Sequence, residues 1–428
     1  MSFTYKTTRK DASPHEDGGV LATAFASKVQ ELWRLATHRP RLRTKAVAGA
    51  LVLSVFFGLT PGCGDDGSGG GGNPDASITD PECGDWPSTQ VIGNWDVVPY
   101  QRLDTTFNVG VVAFHELGVD VVFYIDDQEV ARIEEPSMND RTGVVEYWFP
   151  LNPADYEDGE VTVTALIEPD CPGHVQRELE PLTLYANSGG TLTNEEVRWA
   201  DCTAGDDDSG DGTESSPYKT IEKALTEVGS GGTVYLKAGS CYELTSLYPS
   251  AGFTHWTTVE PAPGVSREEV DILTYGQGDS TGRFGEDMVR WHLVRFHKDV
   301  EPGYSTLFYF ESGHSVWFDE AELYDARGQW NGGNPVNGNS PYHVYYTDAY
   351  IHDLQNAGYG FGRNVSMENI GSDILRGSSN LTSINLTVHG IDRGTTEAHP
   401  DFFQFYNPDS TVDNVIVYNT KVYDMGAQ

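Results

Sequence analysis

Short segments of alternating apolar residues recur through the last third of the chain and constrain its fold more than any other feature. They are WHLVRFH (291–297), VWFDEAELY (316–324), YTDAYIH (346–352), VSMENI (365–370), SINLTVH (383–389) and VDNVIVYNTKVY (412–423). Aligning Phe296, Leu323, Ile351, Ile370 and Val388 gives steps of 27, 28, 19 and 18 residues. This period suits the coils of a parallel solenoid with loops of varying length, in preference to a second sandwich. We also expect Asn369, Asn385 and Asn414 to stack as an amide ladder.

An Asp/Gly-rich loop, a short helix and a strand follow one another between Gly205 and Glu243. Ser216-Pro217 predicts the helix start, Ile221 and Leu225 lie on its apolar stripe, and Gly229 ends it. This order resembles the N-terminal cap and first rung of right-handed parallel β-helix proteins of the pectin-lyase-like superfamily. The resemblance covers residues 190–428 and implies a right-handed parallel β-helix whose open end the helix covers. Because the chain stops inside a predicted rung, we expect this β-helix to be C-terminally incomplete.

Residues 83–188 contain strand patterns of another kind. Runs at 106–112, 119–125, 144–149 and 161–167 alternate apolar and polar residues between turn residues. Such alternation is typical of antiparallel strands with one wet face. The predicted fold class is therefore all-β: an immunoglobulin-like antiparallel β-sandwich, interpreted as a spacer rather than a carbohydrate-binding module, followed by the β-helix.

The N-terminus has the order of a secretory signal. Basic residues from Arg39 to Lys45 precede an apolar run, Ala46 to Thr60, that is short for a membrane span. The sequence Leu59-Thr60-Pro61-Gly62-Cys63 resembles a bacterial lipobox, although Pro61 departs from the usual pattern. We predict a signal segment (1–62), lipidation at Cys63 and a flexible linker (63–82), with an uncleaved anchor or an ordinary signal as alternatives. The protein would then be an outer-membrane or cell-surface lipoprotein that meets the membrane only through its lipid.

Cysteine usage fits an exported protein. Five cysteines are present, and lipidation of Cys63 would leave four for disulfides in an oxidising compartment. Three connectivities are open, and we favour the nearest pairs, Cys83 with Cys171 and Cys202 with Cys241.

The charge balance argues against one class of partner. The first 62 residues carry nine basic and four acidic side chains, whereas the remaining 366 carry 18 and 60, a balance of −42. A surface this acidic repels nucleic acid at long range, so nucleic acid is excluded as a partner. An acidic polysaccharide would need a local basic cleft or bound calcium.

The densest polar constellation lies near the C-terminus. The candidate catalytic residues are Asp373, Arg376, Arg393, His399 and Asp401. The segment from His399 through Asp401 to Gln404 resembles the His-x-Asp-x-x-Gln element of β-helix polysaccharide-active proteins. A lyase would use His399 or Arg393 as base and Arg376, or Ca²⁺ held by Asp373 and Asp401, as electrophile. A glycoside hydrolase would instead use two of the carboxylates of Asp373, Asp392 and Asp401. Solvated loop residues without a catalytic role remain the alternative.

Candidate substrate-binding and metal residues lie on either side of this constellation. Gln404, Trp330, Tyr346 and Arg363 would contact a sugar chain beside a Gly/Asn-rich loop, although buried core aromatics are an equal alternative. Asp206, Asp208 and Asp211 could hold Ca²⁺ through clustered oxygens, or form a solvated turn.

The sequence thus predicts a monomeric surface protein whose β-helix binds, and in one reading cleaves, polysaccharide. The alternatives are a non-catalytic adhesin or scaffold, and a glycoside hydrolase.

Overall fold

A computed structural model describes the protein in segments from residue 90 onwards. The described residues are 90–171, 174–244, 246–247, 252–274, 276–277, 280–281, 283–284, 288–297, 306–310, 315–326, 328–330, 343–354, 361–370, 374–376, 380–391, 402–404 and 414–425. The predicted export segment, the linker with Cys63, and Cys83 lie outside them. Within these segments, no helix has the length and apolar character needed to cross a membrane.

The first part of the described chain, residues 91–186, is called the antiparallel region. Its strands are β1 (Ile92–Trp95), β2 (Arg102–Leu103), β3 (Phe107–Phe114), β4 (Val119–Ile125), β5 (Gln128–Ile133), β6 (Ser137–Asn139), β7 (Val144–Leu151), β8 (Gly159–Pro169), β9 (Arg177–Glu178) and β10 (Leu182–Ala186). One sheet has the order β1-β3-β7-β6, and the other β2-β10-β8-β4-β5 with β9 beside β8. Strand β2 pairs with β10 in parallel, and the other described pairs are antiparallel.

Alternate side chains from both sheets of this region share one core. Val109 and Val111 of β3 and Val121, Phe123 and Val163 from the other sheet are all buried in one cluster. The period of two places every second residue on this inner face. The antiparallel strands predicted at 119–125, 144–149 and 161–167 are confirmed.

Residues 197–425 form what we call the coiled region. It begins with β11 (Val197–Ala200), α1 (Ile221–Glu227), β12 (Thr233–Leu236), β13 (Gly239–Leu244), β14 (Ser246–Leu247), β15 (Thr257–Pro261), β16 (Val270–Thr274), β17 (Gly276–Gln277), β18 (Ser280–Thr281), β19 (Arg283–Phe284), β20 (Val289–His292), β21 (Arg295–His297) and β22 (Thr306–Phe310). It continues with β23 (Ser315–Asp319), β24 (Glu322–Ala326), β25 (Gly328–Trp330), β26 (His343–Thr347), β27 (Tyr350–Leu354), β28 (Phe361–Arg363), β29 (Ser366–Ile370), β30 (Leu375–Arg376), β31 (Thr382–Ile384), β32 (Thr387–Ile391), β33 (Phe403–Gln404), β34 (Ile416–Tyr418) and β35 (Lys421–Met425).

Two long parallel sheets run through the coiled region. The first sheet has the order β11-β12-β15-β20-β23-β26-β28-β31-β34, and the second has β13-β16-β21-β24-β27-β29-β32-β35. The chain visits them in turn, so each pair of strands is one coil stacked on the coil before it. A shorter parallel sheet, β14-β19-β22-β25, and the parallel pair β30-β33 follow the second-sheet strands of their coils. The predicted parallel stacking of the repeats is confirmed.

Helix α1 begins later than predicted. Its N-cap is Thr220, whose hydroxyl accepts a hydrogen bond from the Lys223 backbone N–H at 3.2 Å. Tyr218 instead forms a parallel bridge with Ala200, which keeps the chain extended after Pro217. The predicted apolar stripe is present, since Ile221 and Leu225 are buried.

Five of the six predicted repeat strands of the coiled region prove to be two strands that meet at a corner between the sheets, whereas 365–370 begins after its corner and contains β29 alone. The corner residues, with φ between 51° and 56°, are Leu293, Glu320, Asp348, Asn364, Asn385 and Asn419. A residue in this left-handed conformation turns the chain, and Asn and Asp adopt it more readily than other non-glycine residues. The residue after each of the first five corners, such as Val294 or Ala321, is buried. The alternation of apolar residues therefore continues across the corner, so the sequence pattern does not show where the chain turns.

The prediction that Asn369, Asn385 and Asn414 stack as one amide ladder is wrong. Asn385 donates to Asn364 Oδ1 at 2.7 Å and accepts from Asn419 Nδ2 at 2.6 Å, all at the corners between the two sheets. Asn369 and Asn414 belong to two other stacks, near the end of a second-sheet strand and just before a first-sheet strand. The three predicted residues occupy different turns of the coil, which an alignment without corners cannot separate.

The inward column of the second sheet defines the true repeat. In register, its members are Phe296, Leu323, Ile351, Met367 and Val388. The sequence alignment used Ile370 in place of Met367, whereas Ile370 pairs with Ile391 near the ends of their strands. The first two steps, 27 and 28, are right. The next two, 351 to 367 and 367 to 388, are 16 and 21.

The antiparallel region packs on the outer face of the first sheet, at a contact that we call the junction. Its apolar cluster contains Val98, Trp256, Trp317, Tyr345 and Phe361. Trp256 Nε1 donates to the Pro99 carbonyl at 2.7 Å, and the Tyr418 hydroxyl donates to the Val145 carbonyl at 2.8 Å. The region predicted as a spacer is therefore in direct contact with the coils.

One disulfide links the start of the coiled region to its first full coil. The Cys202–Cys241 pairing is confirmed, with Cα atoms 5.6 Å apart across 39 residues of sequence. Closing a loop of this length stabilises the fold by about 4 kcal/mol. Cys171 is also disulfide-bonded. Its partner lies outside the described residues, so the pairing with Cys83 stays a prediction.

Candidate functional site

Most of the predicted catalytic constellation lies outside the described residues. This applies to Asp373, Asp392, Arg393, His399 and Asp401. Arg376 and Gln404 are described by their backbone. They are direct partners in the parallel pair β30-β33, with Leu375 opposite Phe403. The coil thus brings together two predicted site residues that are 28 positions apart in sequence.

The predicted substrate-binding residues fall into three different environments. Tyr346 is fully buried in the core, where it stacks on Phe318 with ring centroids 5.0 Å apart, so it is unavailable to a ligand. The prediction that Tyr346 contacts a sugar chain is therefore corrected, because the residue lies in a buried first-sheet strand. Arg363 lies on the outer face of the first sheet with 12% of its side chain exposed, 3.8 Å from an Asp348 oxygen. Trp330 lies in β25, and its backbone pairs with Tyr309.

The outer face of the second sheet carries a continuous column of polar and aromatic side chains. One outward column, which we call the His–Tyr strip, contains His297, Tyr324, His352, Glu368, His389 and Tyr423, one residue per coil. Because parallel strands pair in register, these side chains stack along the coil axis at about 4.8 Å per coil.

Rings of the strip stack face to face. His297 and Tyr324 have centroids 5.4 Å apart at 14°, and Tyr324 and His352 are 5.3 Å apart at 10°. His389 and Tyr423 stack at 4.6 Å and 18°. Rings that cover one another's faces leave their N–H and O–H edges for other partners. The strip is therefore suited to hydrogen bonding and charge recognition rather than to stacking sugar rings.

Glu322 is the centre of an ion-pair network beside the strip. Its Oε1 lies 3.0 Å from His352 Nε2, and its Oε2 lies 3.2 Å from Arg295 Nε and 3.5 Å from Arg267 Nε. The hydrogen bond with His352 lowers the pKa of Glu322 against the effect of burial, with the two arginines adding to it. Burial alone would lower the pKa of His352, but hydrogen bonds to Glu322 and Asp353 raise it above the ordinary value.

A second carboxylate, that of Asp271, contacts the first two residues of the strip. The Tyr324 hydroxyl donates to Asp271 at 2.9 Å, and His297 Nε2 lies 3.7 Å from the same carboxylate. Burial and this hydrogen bond raise the pKa of Tyr324, so it remains a neutral donor. The Arg295 guanidinium lies 4.7 Å from the centre of the Tyr324 ring and adds a cation–π contact.

A group with metal-ligand chemistry lies on the first sheet. His292, Asp319 and Glu320 bring one ligand atom each within 4.8 Å of one another, the one such group found among the described residues. However, Arg290 donates to Asp319 Oδ2 and the Thr347 hydroxyl donates to Oδ1. A metal ion would have to displace the guanidinium, so these residues fit an ion-pair network better than a metal site. Despite burial, the His292 contact and the Arg290 charge lower the pKa of Asp319.

The acidic loop predicted to bind calcium uses its carboxylates within the loop. Asp206 Oδ1 accepts from the backbone N–H groups of Asp208 and Ser209, and Asp211 Oδ1 accepts from Thr213. These bonds lower the pKa values of Asp206 and Asp211. The loop residues thus cap turns. Calcium binding by Asp206, Asp208 and Asp211 stays a prediction.

Buried acids lie at the junction. Glu146 is 1% exposed and accepts hydrogen bonds from Asn139 Nδ2 and the Thr142 hydroxyl, both at 2.6 Å. Burial and the neighbouring Asp96 carboxylate raise the pKa of Glu146 to about 9, so it is neutral at pH 7. Asp96, also buried, pairs with Arg141.

Sequence reasoning missed the His–Tyr strip although a signal was present. The alignment of Phe296, Leu323 and Ile351 is the true register, and the residue after each one is His297, Tyr324 and His352. The use of Ile370 in place of Met367 concealed Glu368, the strip residue between His352 and His389.

Comparison with protein-family models, with curated proteins and with solved structures finds no significant match.

Proposed function

We propose that the coiled region is a right-handed parallel β-helix of the pectin-lyase-like kind that binds polysaccharide and cleaves it by elimination. The alternation of the chain between two long parallel sheets, with α1 before the first full coil, supports this architecture. Fold alone does not carry function, so the proposal depends on the site.

We further infer that the antiparallel region is an immunoglobulin-like sandwich. Its strand orders, β1-β3-β7-β6 and β10-β8-β4-β5, correspond to the A-B-E-D and G-F-C-C′ sheets of that architecture.

The pairing of β30 with β33 carries the functional proposal. Arg376 and Gln404 are partners on neighbouring coils. Asp373 and Asp401 each come two residues before the first residue of those strands, Leu375 and Phe403. Equal spacing from paired strands supports neighbouring positions for the two acids, where they could hold Ca²⁺ or act on one sugar.

In this proposal each group has a defined role. His399 or Arg393 takes the proton from the ring carbon that bears the uronate carboxylate, and the glycosidic C–O bond on the next ring carbon breaks. The electron pair forms a C=C bond, and the leaving sugar oxygen gains a proton. Arg376, or Ca²⁺ between Asp373 and Asp401, stabilises the charge that develops on the carboxylate.

A screen of the purified protein on acidic and neutral polysaccharides, with and without calcium, tests the proposal. A lyase releases unsaturated ends that absorb ultraviolet light, whereas a hydrolase that uses Asp373, Asp392 or Asp401 releases reducing ends without that absorbance. An adhesin or scaffold binds and releases neither. We expect Asp401→Ala to abolish release and Asp155→Ala, which changes an exposed acid of the antiparallel region, to leave it intact. Full activity in Asp401→Ala would overturn the site assignment.

We also propose export and lipid anchoring at Cys63. The Cys202–Cys241 bond supports an oxidising compartment, because disulfides persist outside the reducing cytosol. Incorporation of labelled fatty acid that is lost in Cys63→Ser would support the anchor, and equal labelling of both proteins would exclude it.

A further inference from the structure

The coiled region has one outer face that the junction does not use. The hydrogen bonds and ring contacts described between the two regions reach the first sheet and the turns beside it. The His–Tyr strip lies on the second sheet. His297 and His352 have 24% and 15% of their side chains exposed, and Tyr423 is 45% exposed as a residue.

Titratable side chains recur along this face at a regular interval. His297, His352 and His389 occupy the same column with one coil between successive histidines, so their imidazoles recur at about 10 Å along the axis. A regular array of weak sites favours a ligand that repeats along its length, because several contacts then form at once.

The carboxylates of the face are engaged within it. Glu322 is surrounded by Arg267, Arg295 and His352, and Asp271 accepts the Tyr324 hydroxyl. Glu368 accepts the Tyr350 hydroxyl at 2.7 Å. Protonation of the histidines therefore adds positive charge beside Glu322, whose negative charge is already paired with two guanidinium groups.

The charged and titratable groups around each histidine differ. Among the described residues, His297 faces Asp271 and Tyr324, with Arg295 on the same strand. His389 lies between Glu368 and Tyr423 on the adjacent coils, and Lys421, the partner of Thr387, lies two residues before Tyr423 on the same strand.

His352 is held more tightly than the other two. It faces Glu322, Asp353, Tyr324, Tyr350 and Glu368. Because both of its ring nitrogens contact carboxylates, its proton is retained by the network, and a ligand would contact the other two histidines.

We propose that the His–Tyr strip is a binding surface for a linear acidic polysaccharide, which lies along the coil axis with its carboxylates opposite His297 and His389 and binds more tightly as these histidines gain protons. This inference rests on the proposed polysaccharide function and adds a surface separate from the β30-β33 site. It also bears on the electrostatic problem of a chain with a balance of −42, because protonated histidines make the field along the strip less negative.

The test measures retention of the full protein by polygalacturonate in affinity electrophoresis, at about pH 5.5 and about pH 7.5, on either side of the histidine range. We expect binding to tighten by about three- to fivefold per imidazole on acidification, the effect of one exposed ion pair. The double variant His297→Gln/His389→Gln should lose this gain, whereas His174→Gln, in the antiparallel region, should keep it. Equal thermal unfolding of the variants checks that they fold.

Three outcomes would overturn the inference: binding that does not tighten on acidification, a double variant that binds like the unaltered protein, or equal retention by uncharged dextran. Cleavage is assayed separately with Asp401→Ala. Loss of the strip's binding with cleavage intact rejects the strip alone, whereas acid-dependent binding without any cleavage rejects the lyase and leaves the strip.

Discussion

The two long sheets of the coiled region share one coil and one core, yet their outer faces have opposite characters. The first sheet presents Trp317, Tyr345 and Phe361, each 7% or 8% exposed beneath the antiparallel region. The second presents His297, Tyr324 and His352 with their polar partners. Since backbone pairing is the same in both, the outward residues alone decide which face docks and which face can meet a ligand.

The largest expected effect comes from breaking the covered face. Trp317 packs on Trp256 with centroids 5.6 Å apart, lies beneath the Arg290 guanidinium and donates to the Thr347 hydroxyl. We expect Trp317→Ala to lower the free energy of unfolding by about 3–5 kcal/mol, as for other large buried aromatics. Denaturant unfolding measures this.

The matched change on the other face is Tyr324→Ala. Its ring is partly exposed, so we expect a loss of about 1–2 kcal/mol. Equal losses for Trp317→Ala and Tyr324→Ala would remove the distinction between the faces.

The next expected change in stability depends on pH and comes from Glu146 at the junction. The pKa of Glu146 is raised to about 9, whereas an unfolded glutamate has a pKa near 4.5. Between these values the folded protein retains a proton that the unfolded chain releases, so stability is full below about pH 4.5 and falls as pH rises towards 9. Glu146→Gln should match the unaltered protein at about pH 4 and exceed its stability by on the order of 2 kcal/mol at about pH 8.

The control for Glu146 is Glu160→Gln, which changes an exposed acid of β8. Thermal unfolding across the pH range should leave its profile parallel to that of the unaltered protein. A Glu146→Gln profile with the same slope would contradict the buried neutral carboxyl.

The smallest expected change in stability concerns the outer face of the second sheet. The pKa of His352 is raised, so its contribution is full below about 6.5 and is lost as pH rises through the folded pKa. The pKa of Glu322 is lowered, so its contribution is lost as pH falls from about 4.5. His352→Gln should therefore cost about 1 kcal/mol near pH 6 and less at either extreme.

His389→Gln provides the comparison within the strip, because His389 stacks on Tyr423 at the exposed end. Its effect on the unfolding midpoint should be smaller than that of His352→Gln at every pH. A larger effect would show that the Glu322 network does not stabilise the second face.

The sequence predicted strand content well where one physical rule dominates. Apolar and polar residues alternate at 119–125 and 161–167 because one face of an antiparallel strand is buried. Both strands are present. Steps of 27 and 28 residues from Phe296 to Ile351 report the coil length where loops are regular. The pattern failed at Met367, because Ile370 is equally apolar and a shorter coil changed the spacing.

The candidate site was only partly predictable for a related reason. Tyr346 and Tyr345 are adjacent aromatics, but the period of two puts Tyr346 in the core and Tyr345 beneath the antiparallel region. The sequence suggests a sugar-binding role for Tyr346 because residue type alone does not distinguish inward from outward positions. The register that pairs Arg376 with Gln404 could not be predicted from the sequence, since variable loop length hides it.

By itself, the sequence indicated the antiparallel strands of the first region and the parallel repeats of the second, because burial periodicity is a local property. It only favoured Cys202–Cys241 among three possible connectivities, and the structure contains that bond. Only the tertiary structure decided where each coil turns, which outer face the antiparallel region covers, and which residues one coil apart become neighbours. Leu293 and Asn364 share a corner conformation despite unlike side chains, and His297 meets Tyr324 across 27 residues. Such contacts depend on the summed length of every loop between them, which no local pattern records.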